Sequence, residues 1–109
     1  MVFPVSAALL DALVLSIVSN EDTYGYKITQ EIREAIEMSE STLYPVLRRL
    51  LKNEFLASYD QEYMGRNRRY YKITDNGKKQ LDLYRDEWVT YKDKINTIIV
   101  KKFDGSDNI

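Results

Sequence analysis

Apolar positions fall at helical spacing three times, then alternate through two short runs, then return to helical spacing in one long final stretch. Leu9, Leu10, Leu13, Val14 and Ile17 give a broad apolar face and predict a first helix over residues 5–19, ended by Asn20-Glu21-Asp22. Thr23 is the expected N-cap of a second helix, in which Tyr24, Ile28 and Ile32 recur every four residues and Gly25 permits a close approach. A polar turn over residues 37–39 follows, with Ser39 as the N-cap of a third helix. Leu43, Leu47 and Leu50 form that helix's inner face, and Ser41, Tyr44, Pro45, Arg48 and Lys52 its outer one.

The alternating runs read as a hairpin. Residues 55–61 and 68–74 are rich in strand formers, and Met64-Gly65-Arg66-Asn67 supplies the turn. In the second arm Arg69, Tyr71 and Ile73 alternate with Arg68, Tyr70 and Lys72, so one face packs and the other stays polar. Thr74 then caps a final helix reaching about residue 102, beyond which Gly105 and a polar tail are expected to fray. The fold class is therefore mainly α with a small β-wing. A winged helix-turn-helix spans residues 5–74, and a C-terminal dimerisation helix over 75–103 packs on it within one compact domain.

Composition narrows the chemistry. The 109 residues include no Cys and no His, which removes thiol nucleophiles, His-dependent triads and Cys or His zinc sites. No convergent catalytic set is found, so the chain is read as a non-enzyme with no cofactor and no metal. The absence of disulfides fits a cytoplasmic protein. The apolar run over residues 2–18 is not read as a targeting or membrane segment. No Lys or Arg precedes Lys27, Asp11 interrupts the run, and it is shorter than the roughly 20 residues that span a bilayer.

Net charge is −1, which taken alone argues against a nucleic-acid partner. Its distribution reverses that argument. Between Gln61 and Gln80 six cations face two carboxylates, a local +4 that leaves −5 for the rest of the chain. A helix fits the DNA major groove with its N-terminal side chains at base edges, and a basic hairpin beside it reaches phosphates or the minor groove. The candidate contacts to double-stranded DNA are Ser41, Thr42, Tyr44, Arg48 and Arg49 on the third helix. Arg66, Arg68, Arg69 and Tyr70 are their counterparts on the hairpin.

In the last helix Leu81, Tyr84, Trp88, Tyr91, Ile95 and Ile98 fall at steps of three and four, the spacing of a coiled-coil seam. A helix of that length exceeds what so small a domain covers, so the stripe is expected to pack partly on its own domain and partly on a second copy. The chain is thus read as a homodimer.

Several runs resemble a known family. Tyr24-Gly25-Tyr26-Lys27-Ile28, Thr42-Leu43-Tyr44-Pro45-Val46-Leu47-Arg48-Arg49-Leu50, and Gly65-Arg66 followed by Arg69-Tyr70-Tyr71-Lys72-Ile73-Thr74 and Gly77 look like the PadR-like regulators. The resemblance covers residues 9–103 and is closest to the short branch with a single C-terminal dimerisation helix. It implies a homodimeric transcriptional repressor released from its operator by a small molecule. Trp88 resembles in position the tryptophan of multidrug-sensing members, whose paired rings sandwich flat aromatic compounds; Tyr91 and Ala12 would complete such a pocket. The other reading of Trp88, a large interface residue, stands beside it. A second functional reading also stands: a ligand- or partner-binding dimer of this fold without tight specific DNA binding. Two positions depart from the family pattern. Glu54 replaces the usual Gly after the third helix, where Asn53 is expected to take the left-handed turn, and Arg66 replaces a second Gly or Pro in the wing.

Overall fold

The computed structural model describes residues 3–100. Helix α1 (Ala7–Asn20) starts where the Ser6 hydroxyl accepts the Leu9 amide at 3.1 Å. It is followed by a two-residue strand β1 (Thr23–Tyr24), helix α2 (Gly25–Arg33) and helix α3 (Glu40–Lys52). Strands β2 (Leu56–Tyr63) and β3 (Arg66–Ile73) form the hairpin, and helix α4 (Asp75–Ile99) closes the chain. The expected extension of α4 to residue 102, and the fraying tail, lie outside the described residues.

Val14, Leu15 and Val18 of α1 are buried against Ile28 of α2 and Leu50 of α3. Leu56, Tyr71 and Leu81 extend this core beneath the sheet and the first turns of α4. Ile28, Leu50 and Leu81 lie on the apolar faces that periodicity marks. On α1 the buried stripe is Leu10, Asp11, Val14, Leu15 and Val18, turned from the expected face, whose Leu9, Leu13 and Ile17 are only half-buried. Burial of the apolar members supplies the main driving force for folding.

Three local expectations need correction. Thr23 does not cap α2. It sits in β1, buried, with its Cα paired to Tyr71, while Tyr24 occupies the cap position without a side-chain bond. Pairing with β3 satisfies the extended backbone of a β-branched residue, and the sheet becomes three-stranded in the order β1-β3-β2, antiparallel throughout. Asn53 does not turn left-handed either; its φ is −83° and its amide still reaches the Arg49 carbonyl. Glu54 takes that role at φ 62°, because the amides of Glu54 and Phe55 return to the carbonyls of Leu51 and Leu50, the two bonds of a Schellman cap. Finally, the hairpin turn is tighter than expected. Met64 and Gly65, at φ 51° and 80°, make a two-residue turn of the type I′ kind, so Arg66 is the first residue of β3.

Thr74 caps α4 as expected, its hydroxyl accepting the Gly77 amide at 2.9 Å while donating to the Glu54 carbonyl at 2.6 Å. Those bonds pull the start of α4 onto the end of α3. A Cβ at Gly77 would lie 2.0 Å from the Phe55 carbonyl oxygen and 2.7 Å from Ile73 Cγ1. Only glycine allows that approach.

Two substitutions at this junction should act in opposite directions. Gly77→Ala forces the α3–β2 connection apart and should cost at least about 2 kcal/mol by the overpacking rule. Glu54→Gly removes a left-handed Cβ penalty and should stabilise by about 0.5–1 kcal/mol, net of the added chain entropy. Urea denaturation of both variants checks this. A neutral Gly77→Ala would mean that the connection yields freely.

Candidate nucleic-acid interface

The N-terminal turn of α3 presents hydroxyls. Ser39 Oγ lies 3.1 Å from Ser41 Oγ and 2.8 Å from Thr42 Oγ1, instead of accepting a backbone amide of its own helix. The first amides of the helix and three small polar groups therefore sit together at its positive dipole end. One turn on, Tyr44 stands 63% exposed, with the Arg48 guanidinium 5.8 Å from its ring centroid. Pro45 is exposed within the helix and carries no N–H for the Ser41 carbonyl. Ser41, Tyr44, Pro45 and Arg48 thus share one outward face, while Thr42, half-buried, stands at its edge on the side that Arg49 continues.

Arg49 does not join them. Its guanidinium turns inward to the buried Asp11 carboxylate of α1, bonding through Nη2 to Oδ1 and through Nε to Oδ2 at 3.4 Å. The bond to Asp11 chiefly holds the Arg49 guanidinium above its usual range, against desolvation. The Tyr84 hydroxyl of α4 donates to the same carboxylate at 3.3 Å, and burial, assisted by that charge, pushes its phenol up. The sequence groups Arg49 with Arg48, but adjacent helix positions point about 100° apart. The inward one finds an acid 38 residues earlier.

On the wing, the four sequence-selected residues have different surroundings. Arg66 is exposed next to the turn. Arg68 lies between two rings, its guanidinium carbon 4.0 Å from the Tyr24 centroid and 3.7 Å from that of Tyr63. Arg69 pairs with Asp60 at 3.8 Å on the opposite face of the sheet. Tyr70 stacks on Tyr59 at 5.7 Å and meets Tyr24 edge-on at 5.7 Å, while the Tyr59 hydroxyl donates to Asp22 at 2.8 Å. Tyr24, Tyr59 and Tyr63 escape a reading that follows charge. The four-residue spacing of Tyr59 and Tyr63, which places both on one strand face, is the signal that finds them.

The seam of α4 divides in two. Leu81 is 3% exposed, within the chain's own core, and Tyr84 is half-buried against α1, so both serve intramolecular packing. Beyond them Trp88, Tyr91, Ile95 and Ile98 are all exposed, from 38% at Ile95 to 80% at Ile98. Trp88, Tyr91 and Ala12 do come together, with Tyr84, Leu9 and Pro4, around an open cleft of about 460 Å³ between α1 and α4. The Trp88 and Tyr91 rings are 6.2 Å apart and tilted by 39°. Among the described residues no helix is long and apolar enough to cross a membrane.

Comparison with known proteins places this geometry. The chain is similar to a Streptococcus mutans protein of known crystal structure, with 45% identity, 95% of this chain and all of that one covered, and a TM-score of 0.85. It is similar to a PadR family transcription regulator from Clostridium difficile (33% identity, 83% and 97% of the two chains, TM-score 0.76). An uncharacterised protein of Lysinibacillus sphaericus is 37% identical over 92 residues, 80% of this chain and 84% of that protein. Residues 14–83 match the transcriptional regulator PadR-like family, from the core of α1 through the wing to the start of α4. The chain belongs to the PadR-like family of transcriptional regulators.

Proposed function

We propose that this regulator is a cytoplasmic repressor that binds a pseudo-palindromic operator as a homodimer, with no catalytic step. The observation that carries the reading is the joint outward display of Ser41, Tyr44 and Arg48 on α3, with Thr42 at the edge of that face and Arg66 beside the wing turn. Residues 5–74 act as the DNA-binding unit and residues 75–103, which include α4, as the dimerisation unit. Two copies related by a two-fold axis would present their α3 helices to half-sites about 34 Å apart, one turn of DNA, or a multiple of that. Arg48 and Arg66 are the cations free to reach phosphate; Arg49 and Arg69 are engaged by Asp11 and Asp60.

Binding should weaken steeply with salt, and Arg66→Ala should weaken it on every sequence while lowering the salt slope by about 0.9 per protomer, about 1.8 for the dimer. Ser41→Ala or Thr42→Ala should instead change which duplex is preferred. Selection of bound duplexes from a random library, followed by affinities at three salt concentrations, checks both. Equal affinity for selected and random DNA would count against a specific repressor.

The exposed second half of the α4 seam supports the homodimer. Tyr91→Asp combined with Ile95→Asp would place unpaired carboxylates in that contact and should give monomers. Sedimentation of this double variant as a folded dimer would locate the interface elsewhere.

A planar aromatic effector is the second part of the reading, supported by the cleft that gathers Trp88, Tyr91 and Ala12. Trp88 is the sole tryptophan, so its fluorescence reports on that cleft. A flat dye stacked there should quench it, and Trp88→Ala should weaken the dye by more than about tenfold, or about 1.4 kcal/mol. Linkage requires that dye and DNA alter each other's affinity by one factor. A panel of planar dyes and phenolic acids that leaves the fluorescence unchanged would assign Trp88 to the interface alone.

A further inference from the structure

The wing overhangs the body of the protein. Strands β2 and β3 pair over eight positions, but β1 supports β3 only at Tyr70 and Tyr71. The four pairs from Asp60–Arg69 to Tyr63–Arg66 extend past that support, about 13 Å at roughly 3.3 Å per residue. A two-stranded ribbon has little stability of its own in water. Something must hold its direction if Arg66 is to meet DNA at a fixed place.

From the ring geometry we infer that Arg68 is a positioning residue, which braces the wing and makes no phosphate contact. Its guanidinium is held between the Tyr24 ring, at the root of α2, and the Tyr63 ring, at the far end of β2. The two rings belong to the outer strands of the sheet, and Arg68 belongs to the strand between them. The contact therefore ties the tip to the helix-turn-helix across the full sheet. A planar cation suits this place because both of its faces can stack, which an ammonium cannot do. The Nη1 of Arg68 also lies 3.5 Å from the Tyr70 hydroxyl, and Tyr70 is itself fixed by Tyr59 and Tyr24. A guanidinium sheltered on both faces cannot swing out to a phosphate without releasing the tip.

The inference rests on the DNA-binding reading, and its test has one arm that needs no DNA. Tyr63→Thr keeps strand propensity and charge but removes one face of the clamp; Arg68→Lys keeps charge but loses the plane; Tyr63→Phe keeps the clamp. Amide hydrogen exchange over residues 60–69 of the free protein should speed up about fivefold or more in the first two variants and stay within about twofold of wild type in Tyr63→Phe. Binding to a mixed-sequence duplex of about 30 base pairs at low salt should follow the same order, weakening about fivefold although no charge has been lost. Unchanged exchange in Tyr63→Thr would overturn the brace. So would full affinity and salt slope in Arg68→Lys, since a phosphate contact tolerates that exchange of cations. If the wild-type protein failed to bind any duplex, the repressor reading would fall and the exchange arm would still decide the brace.

Discussion

The buried carboxylate of Asp11 is the point at which three helices are tied together. It is 7% exposed on α1, and it receives Arg49 from α3 and Tyr84 from α4. Removing either charged partner of a fully buried pair costs about 3 kcal/mol or more, because the survivor keeps its desolvation cost. The cost here is lower, since the Arg49 side chain is 38% exposed. Its geometric role is larger than its energy. Apolar faces allow helices to slide, whereas a bidentate guanidinium on a carboxylate fixes distance and rotation. Through Asp11 the orientation of the outward face of α3 is set against α4, the helix that would join two copies in the proposed dimer.

That constraint explains how an acidic chain can present a DNA-binding surface. The five arginines at positions 48, 49, 66, 68 and 69 look equivalent as charge, yet their surroundings separate them. Arg49 answers Asp11, Arg69 answers Asp60, and Arg68 lies between tyrosine rings. Arg48 and Arg66 keep their charge for solvent or ligand. Of the acids that carry the −5 outside the basic stretch, Asp60 and Asp22 lie beside the wing but are engaged by Arg69 and by the Tyr59 hydroxyl.

What was legible in the chain was whatever depends on local spacing. The faces built on Leu47 and Leu50 and on Ile28 and Ile32 recur at helical intervals, so those helices and their buried sides follow from period alone. Helix α1, by contrast, is apolar nearly all round, and its period does not tell Leu15 and Val18, which are buried, from Leu13 and Ile17, which are half-buried. The hairpin follows from alternation, and Ser39 and Thr74 occupy the cap positions that the sequence predicts for them. What escaped depends on partners distant in sequence. Thr23 looks like a cap until Tyr71, 48 residues later, offers its backbone. Asp11 looks like an interruption in an apolar run until Arg49 arrives. The left-handed turn fell one residue beyond the residue type that prefers it, because the Schellman bonds to Leu50 and Leu51 dictate which position turns. Of the candidate site, the outer face of α3 and the Trp88 cleft come together as residue sets. Arg49 and Arg69 instead pair with Asp11 and Asp60, Arg68 lies between two tyrosine rings, and the first half of the α4 seam packs within the chain.

The divided seam also accounts for where a cleft can exist. Leu81 and Tyr84 are held by the domain's own core and by Asp11, so the first turns of α4 lie firmly on α1. From Trp88 onward the apolar side chains of the seam are exposed. A gap must open at the transition, because a straight helix cannot follow a compact domain past its edge. The gap falls beside Ala12, whose small side chain leaves it unfilled, and the first large ring beyond it is Trp88. Tyr84 lines the gap with its ring while its hydroxyl holds Asp11, so the wall of the cleft and the joint that orients α3 share one side chain. In a dimer built on the exposed half of the seam, a second copy would roof this gap without filling it. The cleft and the proposed dimer contact would then be consecutive parts of one helix face, divided where intramolecular packing ends.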